Sequence, residues 1–309
     1  MDNDKSSIIV FLENKPFLGR QIAQIPFFEK LRKEYPDHQI TGVAPNEAST
    51  FYLKIFGCID ETVVYGVYKD NLRRFTALIK SLKSISPTAV FQLRKESFRC
   101  NILANRIHSR NTIGFTSSTS FLLRKKYHFD QSEYLSFNYL KLLRKTDFQP
   151  DNSQTLRDDR CLIIPVAGRI EKMYDINNFI KIAREIKKSI PVAFVIQSNY
   201  KNLLNSLEGL SEEFKLFIDL DIQSLKELII RSKYIISNDC GPIHFAHIYD
   251  VPRIVLFKDK GDKVGGPVSQ WFYKTPSSRN IVSPTGNIND ITADVIIKKF
   301  IELYKSNNG

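Results

Sequence analysis

The chain has 309 residues, 42% hydrophobic and 25% charged, an ordinary balance for a soluble globular protein and enough length for two cored domains. Its net charge is +12, and its four cysteines (58, 100, 161, 240) lie far apart with no CxxC pair, which excludes a disulfide framework or a cysteine zinc site and makes a reducing cytoplasm the simpler setting. The polar start, Met1 to Ser7, reads as no secretory signal, and no apolar run approaches the ~20 residues that span a bilayer.

Ser7 to Leu12 is an apolar strand ending in the polar loop Glu13-Asn14-Lys15-Pro16. Gly19-Arg20 opens a helix to about Glu34, with Ile22, Ile25, Phe28 and Leu31 at helical spacing and a kink expected at Pro26. A strand at 39–43, a helix at 46–56, a strand at 61–65 and a helix at 69–82 follow. Further strands are expected at 88–93 and 112–115, separated by a helix rich in Arg and Asn. The breaker-rich stretch 146–153 reads as a linker. Alternation resumes with strand 161–165, helix 176–188, strand 192–196, helix 200–207, strand 216–219 and helix 224–231.

Tyr234 to Ser237 is the next buried strand, then the turn Asp239-Cys240-Gly241-Pro242, a short helix carrying His244, and the strand Arg253 to Phe257. Asp239 as a side-chain acceptor, a permissive Gly241 and Pro242 at the first helical position suit a helix start whose free N–H groups can hold an anion such as a pyrophosphate. Residues 258–278 read as loop, and 291–304 as a last amphipathic helix. Strand and helix alternate throughout, which argues for α/β architecture with parallel sheets covered on both faces. Two Rossmann-like domains are expected, 1–150 and 151–309, with the last helix (about 290–305) free to pack back on the first. Ligands in such sheets bind at the carboxyl ends of the strands. That places the loops 13–20 and 167–172 and the turn 239–244 on facing edges of one expected cleft.

Charge is uneven: residues 1–150 carry 23 Lys plus Arg against 14 Asp plus Glu, and residues 151–309 carry 22 against 19. The first half therefore suits an anionic partner, namely nucleic acid, phospholipid headgroups or a phosphorylated glycolipid, and diffuse charge equally serves solubility. No helix-turn-helix, zinc-finger or RNP-type pattern supports nucleic acid. The basic run Arg124 to His128 and the cluster Arg94 to Arg110 read as solvated faces or as ground for an anionic acceptor. His244 and His247 stand i, i+3 without a third ligand at sensible spacing, so no metal site is expected, and His247 reads as packing or surface.

The run Asn238-Asp239-Cys240-Gly241-Pro242-Ile243-His244-Phe245-Ala246, followed by Val251-Pro252, resembles the Asp-x-Gly-x-x-His signature of glycosyltransferase family 9, the lipopolysaccharide heptosyltransferases of GT-B fold. The loop Pro165 to Lys172 and the N-terminal order of strand, Gly19, helix, Pro26 and Tyr35-Pro36 match in register. The resemblance implies inverting transfer of a sugar from a nucleotide-sugar, commonly ADP-heptose, to a lipopolysaccharide core or other surface glycan. It places the work at the cytoplasmic face of the bacterial inner membrane, with peripheral attachment there. It implies donor contacts from Lys172, Arg169, Asn199, Asp239, Cys240, Gly241, Pro242 and His244, the N–H groups of residues 240–243 holding the diphosphate. Fixed cations then stand where other transferases use a metal, so no cofactor is expected.

Two residues depart from the family pattern. The family has Gly-Asp where this chain has Gly19-Arg20, and that aspartate is the base that takes the acceptor proton. Glu13 is the one carboxylate in the same loop and the candidate replacement, against the reading of a solvated loop residue. Arg20 is a candidate grip for an acceptor phosphate or carboxylate, or a tolerated surface arginine. The family's nucleoside-contacting glutamate also has no counterpart in Gln197-Ser198-Asn199. A relative that binds nucleotide-sugar and transfers nothing is the alternative function, and a nucleic-acid-binding protein a more distant one.

Overall fold

The computed structural model describes residues 6–13, 16–66, 72–95, 97–107, 111–144, 156–259, 261–262 and 266–308. The expected linker at 146–153 lies outside the described residues. The chain divides into two compact units, Met1–Phe148 and Gln149–Gly309.

In the first unit, strands β1 (Ser7–Phe11), β2 (Gln39–Ala44), β3 (Glu61–Val64), β4 (Ala89–Gln92), β5 (Thr112–Phe115) and β6 (Lys125–Tyr127) form one parallel sheet in the order β3-β2-β1-β4-β5-β6. The central β1 is buried along its whole length because helices cover both faces, so its sequence Ser-Ile-Ile-Val-Phe is a continuous apolar run rather than an alternating one. Its helices are α1 (Leu18–Ile22), α2 (Ile25–Glu34), α3 (Phe51–Ile55), α4 (Leu72–Ser84), α5 (Phe98–Ile107) and α6 (Leu135–Lys141). The expected single helix from Gly19 to Glu34 is two: α1 closes at Ala23, and Pro26 sits in the first turn of α2. A proline there breaks no hydrogen bond, because the first N–H groups of a helix have no partner inside it. The expected helix at 46–56 is likewise a 3-10 turn, Glu47–Ser49, followed by α3.

The second unit repeats this winding. Strands β7 (Asp158–Ile164), β8 (Val192–Ile196), β9 (Lys215–Ile218), β10 (Ser232–Asn238), β11 (Arg253–Phe257) and, beyond a two-residue bridge of β12 (Gly261–Asp262) and β13 (Gly266–Pro267), β14 (Ser278–Val282) make a parallel sheet in the order β14-β11-β10-β7-β8-β9. Read from its other edge, this is the same 3-2-1-4-5-6 order as in the first unit, the doubly wound arrangement. Helices α7 (Ile176–Ile186), α8 (Lys201–Glu208), α9 (Ile222–Arg231), α10 (Ile243–Ile248), α11 (Val268–Trp271) and α12 (Ala293–Asn308) complete it. Asp175 caps α7 by accepting from Asn177 N–H at 2.7 Å, and Asp221 caps α9 by accepting from Gln223 and Ser224. The region expected as loop, 258–278, holds both the bridge and α11. Where the sequence reading let α12 return to the first unit, its Ile296, Phe300 and Leu303 are consumed in the core of the second, with Tyr234 stacked edge-on against Phe300 at 5.3 Å.

Each sheet has a switch point where the winding reverses: between β1 and β4 in the first unit, and between β7 and β10 in the second. At such a point the loops leaving the two strands go to opposite faces and open a crevice at the carboxyl edge. The loop holding Glu13 leaves β1. The loop holding Lys172 leaves β7, and the turn at Asp239 leaves β10.

Candidate functional site

The pairing of Ser237 with Ile164 puts the carboxyl ends of β7 and β10 side by side. Asn238 then joins them: its Nδ2 donates to Pro165 O at 2.8 Å, and its Oδ1 accepts from Tyr174 N at 3.2 Å. One fully buried amide thereby pins both ends of the loop 165–174. Tyr174 is fixed further by its hydroxyl, which donates to Ile291 O at 2.7 Å, and burial pushes its pKa up to about 12. Tyr200, at the start of α8, ties the same loop to the next strand by donating to Ala167 O at 3.0 Å.

Within this frame Lys172, in the 3-10 turn Ile170–Lys172, reaches across to Asp239, Nζ to Oδ2 at 2.6 Å. The side chains are 27% and 16% exposed, so this charged pair lies half-sheltered beyond the carboxyl ends of β7 and β10. Asp239 is therefore not a helix cap. α10 begins at Ile243 with Pro242 as its N-cap and no side-chain cap bond, and Gly241 is not among the positive-φ glycines, which among the described residues are Gly57 and Gly286.

The backbone donors of the turn are divided. Ile243 N–H is directed at Cys240 Sγ, and the N–H groups of His244 and Phe245 go to Gly241 O and Pro242 O at 3.2 and 3.0 Å. Those of Cys240 and Gly241 make no hydrogen bond among the described residues. The expected set of donors at 240–243 thus shrinks to these two, beside Lys172. The Cys240 thiol is buried against Ser237 Oγ at 3.2 Å, and burial pushes its pKa up to about 11. That makes it a packing group and not a nucleophile at neutral pH.

His244 is buried, its ring 6.0 Å from that of Trp271 and 5.6 Å from that of His247. His247 is fully buried, so it is packing, not surface; burial first, and the nearby Arg253 cation second, hold its pKa well below 6.5 and keep it neutral. Arg253, also fully buried, donates to Ala246 O, Val251 O, Tyr273 O and Asp250 Oδ1. It ties the end of α10 to the segment after Trp271, and so fixes the floor on which His244 sits. Arg169 is half-exposed and paired with Glu171 at 3.3 Å, and Asn199 is exposed in the loop after β8. Neither joins the Lys172–Asp239 pair.

In the first unit, Glu13 is not the solvated loop residue that the sequence allowed. Its carboxylate accepts from Tyr139 Oη at 3.2 Å and faces Arg20 Nη1 at 3.5 Å, with side chains 11% and 15% exposed. Tyr139, on α6, is fully buried, and burial with the adjacent Glu13 charge raises its pKa well above the usual phenol value, so it stays a proton donor to Glu13. Sequence reasoning found Glu13 and Arg20 but not Tyr139, which lies 126 residues along the chain from Glu13 in a helix without a motif. It also passed over the structural work of Asn238.

The family model for glycosyltransferase family 9 (heptosyltransferase) matches residues 117–273, half of the chain and the whole Lys172–Asp239 site. The chain belongs to glycosyltransferase family 9. Its fold is accordingly the GT-B type. Among solved structures, E. coli heptosyltransferase WaaC with ADP matches with a TM-score of 0.68 at 13% identity, covering 96% of this chain and 99% of that one. E. coli ADP-heptose lipopolysaccharide heptosyltransferase II matches with a TM-score of 0.66 at 15% identity, covering 98% and 100%. A family 9 glycosyltransferase from Veillonella parvula matches with a TM-score of 0.66 at 17% identity, covering 99% of each chain. No curated protein sequence matches.

Proposed function

We propose that this family 9 glycosyltransferase moves a sugar from a nucleotide-sugar, with ADP-heptose the first candidate, to a lipopolysaccharide core or another anionic surface glycan, with inversion. The observation that carries this reading is the Lys172–Asp239 pair at the β7/β10 switch point, 2.6 Å apart, beside the unbonded N–H groups of Cys240 and Gly241. An incoming diphosphate takes those two donors and competes with Asp239 for Lys172, so the cation is already in place when charge develops on the leaving group. Neighbours of the same fold solved with ADP, with ADP-2-deoxy-2-fluoro heptose and, for TibC, with ADP-D-beta-D-heptose support this donor class.

In the proposed step Glu13 takes the proton of the acceptor hydroxyl while that oxygen bonds to the anomeric carbon. The bond from that carbon to the diphosphate breaks, and its electron pair leaves on the nucleoside diphosphate, held by Lys172 and the turn. Tyr139 and Arg20 hold the Glu13 carboxylate in one orientation. Lys172 and the two backbone donors of the turn carry the leaving-group charge, so the scheme uses no metal. The positive first half favours an anionic acceptor and work at the inner face of the cytoplasmic membrane. Among the described residues no helix is long and apolar enough to cross a membrane.

Arg20, standing where the family pattern has its aspartate, favours a second reading. A protein that holds nucleotide-sugar without transferring it would show donor binding and no glycosylated product. The test of the main reading is a thermal-shift panel of nucleotide-sugars on wild type and Lys172→Ala. The expected result is a shift for one nucleotide class in wild type that shrinks in the variant; no shift with any nucleotide-sugar sinks it.

A further inference from the structure

Four phenylalanines of the first unit, Phe17, Phe51, Phe98 and Phe121, stand 54% to 69% exposed in the whole chain. Among the described residues of the second unit, every phenylalanine is buried or half-buried. A single exposed apolar side chain is ordinary, but these four are grouped. Phe17 is the N-cap of α1 after β1, and Phe51 opens α3 after β2. Phe98 opens α5 after β4, and Phe121 lies in the 3-10 turn Ser120–Leu122 after β5. Each segment follows the carboxyl end of its strand, the edge at which the Glu13 loop leaves β1.

Two fully buried amides hold the rings in pairs. Gln21 Nε2 donates to Pro16 O at 3.2 Å and to Ala48 O at 2.9 Å, and its Oε1 accepts from Tyr52 N–H at 3.0 Å. One side chain thereby anchors the chain on either side of Phe17 and Phe51. Asn101, in the first turn of α5, donates to Thr119 Oγ1 at 3.0 Å, which fixes the turn of Phe121 against the start of the helix that Phe98 opens. Because the winding reverses between β1 and β4, the two pairs belong to opposite faces of the sheet, with the Glu13–Arg20 crevice between them. Paired aromatic rings around one crevice mark a surface that is covered in use.

The charge around them says by what. In these four segments Arg20 is matched by Glu13, while Lys54, Arg94, Lys95 and Arg99 stand against Glu47 alone among the described residues. Lys54 and Arg99 are exposed. A second copy would set the same cations face to face, and like charges oppose that contact. Aromatic rings interleaved with Lys and Arg instead suit an anionic lipid interface, with the rings at the acyl boundary and the cations among the headgroups. We propose that this rim seats the first unit on an anionic phospholipid surface, so that the Glu13 crevice opens toward an acceptor carried in the bilayer. The proposal rests on the surface-glycan acceptor reading above, and assigns the contact to particular residues.

The experiment is co-sedimentation of the full chain with vesicles of phosphatidylcholine alone or of an equimolar mixture with phosphatidylglycerol. The variants are the pairs Phe17→Ser with Phe51→Ser, and Phe98→Ser with Phe121→Ser. All four rings are largely in solvent, so the core stays intact, and serine suits the N-cap position at 17. Wild type is expected to prefer the mixed vesicles. Each double variant is expected to bind them roughly 10- to 100-fold more weakly, from the apolar area it no longer inserts. Thermal unfolding and the shift with nucleotide-sugar should stay at the wild-type level.

Wild type that sediments with neither vesicle leaves the rim to a protein partner and overturns the proposal. So do double variants that bind as tightly as wild type, which would leave diffuse charge as the cause, and equal binding to both vesicle types, which would remove the anionic requirement. Self-association of wild type without lipid, lost in the double variants, overturns it in favour of a second copy. Failure of the donor reading is a separate result: no shift with any nucleotide-sugar, while binding to the mixed vesicles persists and keeps the docking surface.

Discussion

Replacing Glu13 with Gln separates the chemistry of the first unit from its architecture. The amide keeps an acceptor for Tyr139 Oη but cancels the charge that faces Arg20 at 3.5 Å. Both side chains are under one-fifth exposed, so Arg20 is left as a mostly sheltered cation without its carboxylate. Breaking a fully buried pair costs ~3–5 kcal/mol, and the long contact and residual solvent access here bring the expected loss to about 1–3 kcal/mol. If Glu13 is the base, kcat falls ~10²–10⁴-fold with little change in donor KM. Urea unfolding gives the first number and steady-state release of nucleoside diphosphate the second. The double variant Glu13→Gln, Arg20→Met decides between roles. It removes that cation as well, so stability returns to within about 1 kcal/mol of wild type while turnover stays low. Recovery of turnover together with stability, or a single variant whose kcat stays within a factor of about two of wild type, refutes Glu13 as the base.

Two further outcomes follow from the buried groups around α10. Because the folded-state pKa of His247 lies well below the usual 6.5, the native state binds fewer protons than the unfolded chain in that interval. Its contribution is complete above pH ~6.5 and is lost as pH falls toward the folded value, at up to ~1.4 kcal/mol per pH unit. The difference in stability between pH 7.5 and pH 5.5 should therefore shrink in His247→Gln, and identical pH slopes would contradict its burial as a neutral ring. All four cysteines are buried, and Cys240 is held near pKa 11, so a thiol reagent at pH 8 should label none of them in the native protein and all four in urea. Rapid native labelling of Cys240 would mean that the turn beside Lys172 opens.

The central strands were legible because parallel strands covered on both faces are unbroken apolar runs. β8 and β11 fall at the residues expected, and β1 within one. Within the two six-stranded sheets, the strands that sequence reasoning passed over, β6 as Lys-Lys-Tyr and β14 as Ser-Arg-Asn-Ile-Val, are the outermost, where charged and polar residues replace that signal. The split of the first helix depends on where the chain turns at Ala23 and Gln24, and helical spacing carries across such a break undiminished. At the site, Asp239 was legible because it directly follows β10 in the signature turn, and Lys172 only through the family resemblance of the loop after β7. Tyr139 was not, since its meaning comes from a partner 126 residues away.

The central claim is that the β7/β10 switch point holds the diphosphate of a sugar donor through Lys172. Calorimetric titration with the nucleotide-sugar picked out by the thermal-shift panel tests it most directly. Saturable one-site binding to wild type is expected, with affinity roughly 10- to 100-fold weaker for Lys172→Ala, the worth of a charge-assisted hydrogen bond to phosphate. Equal affinity in the two proteins would contradict it.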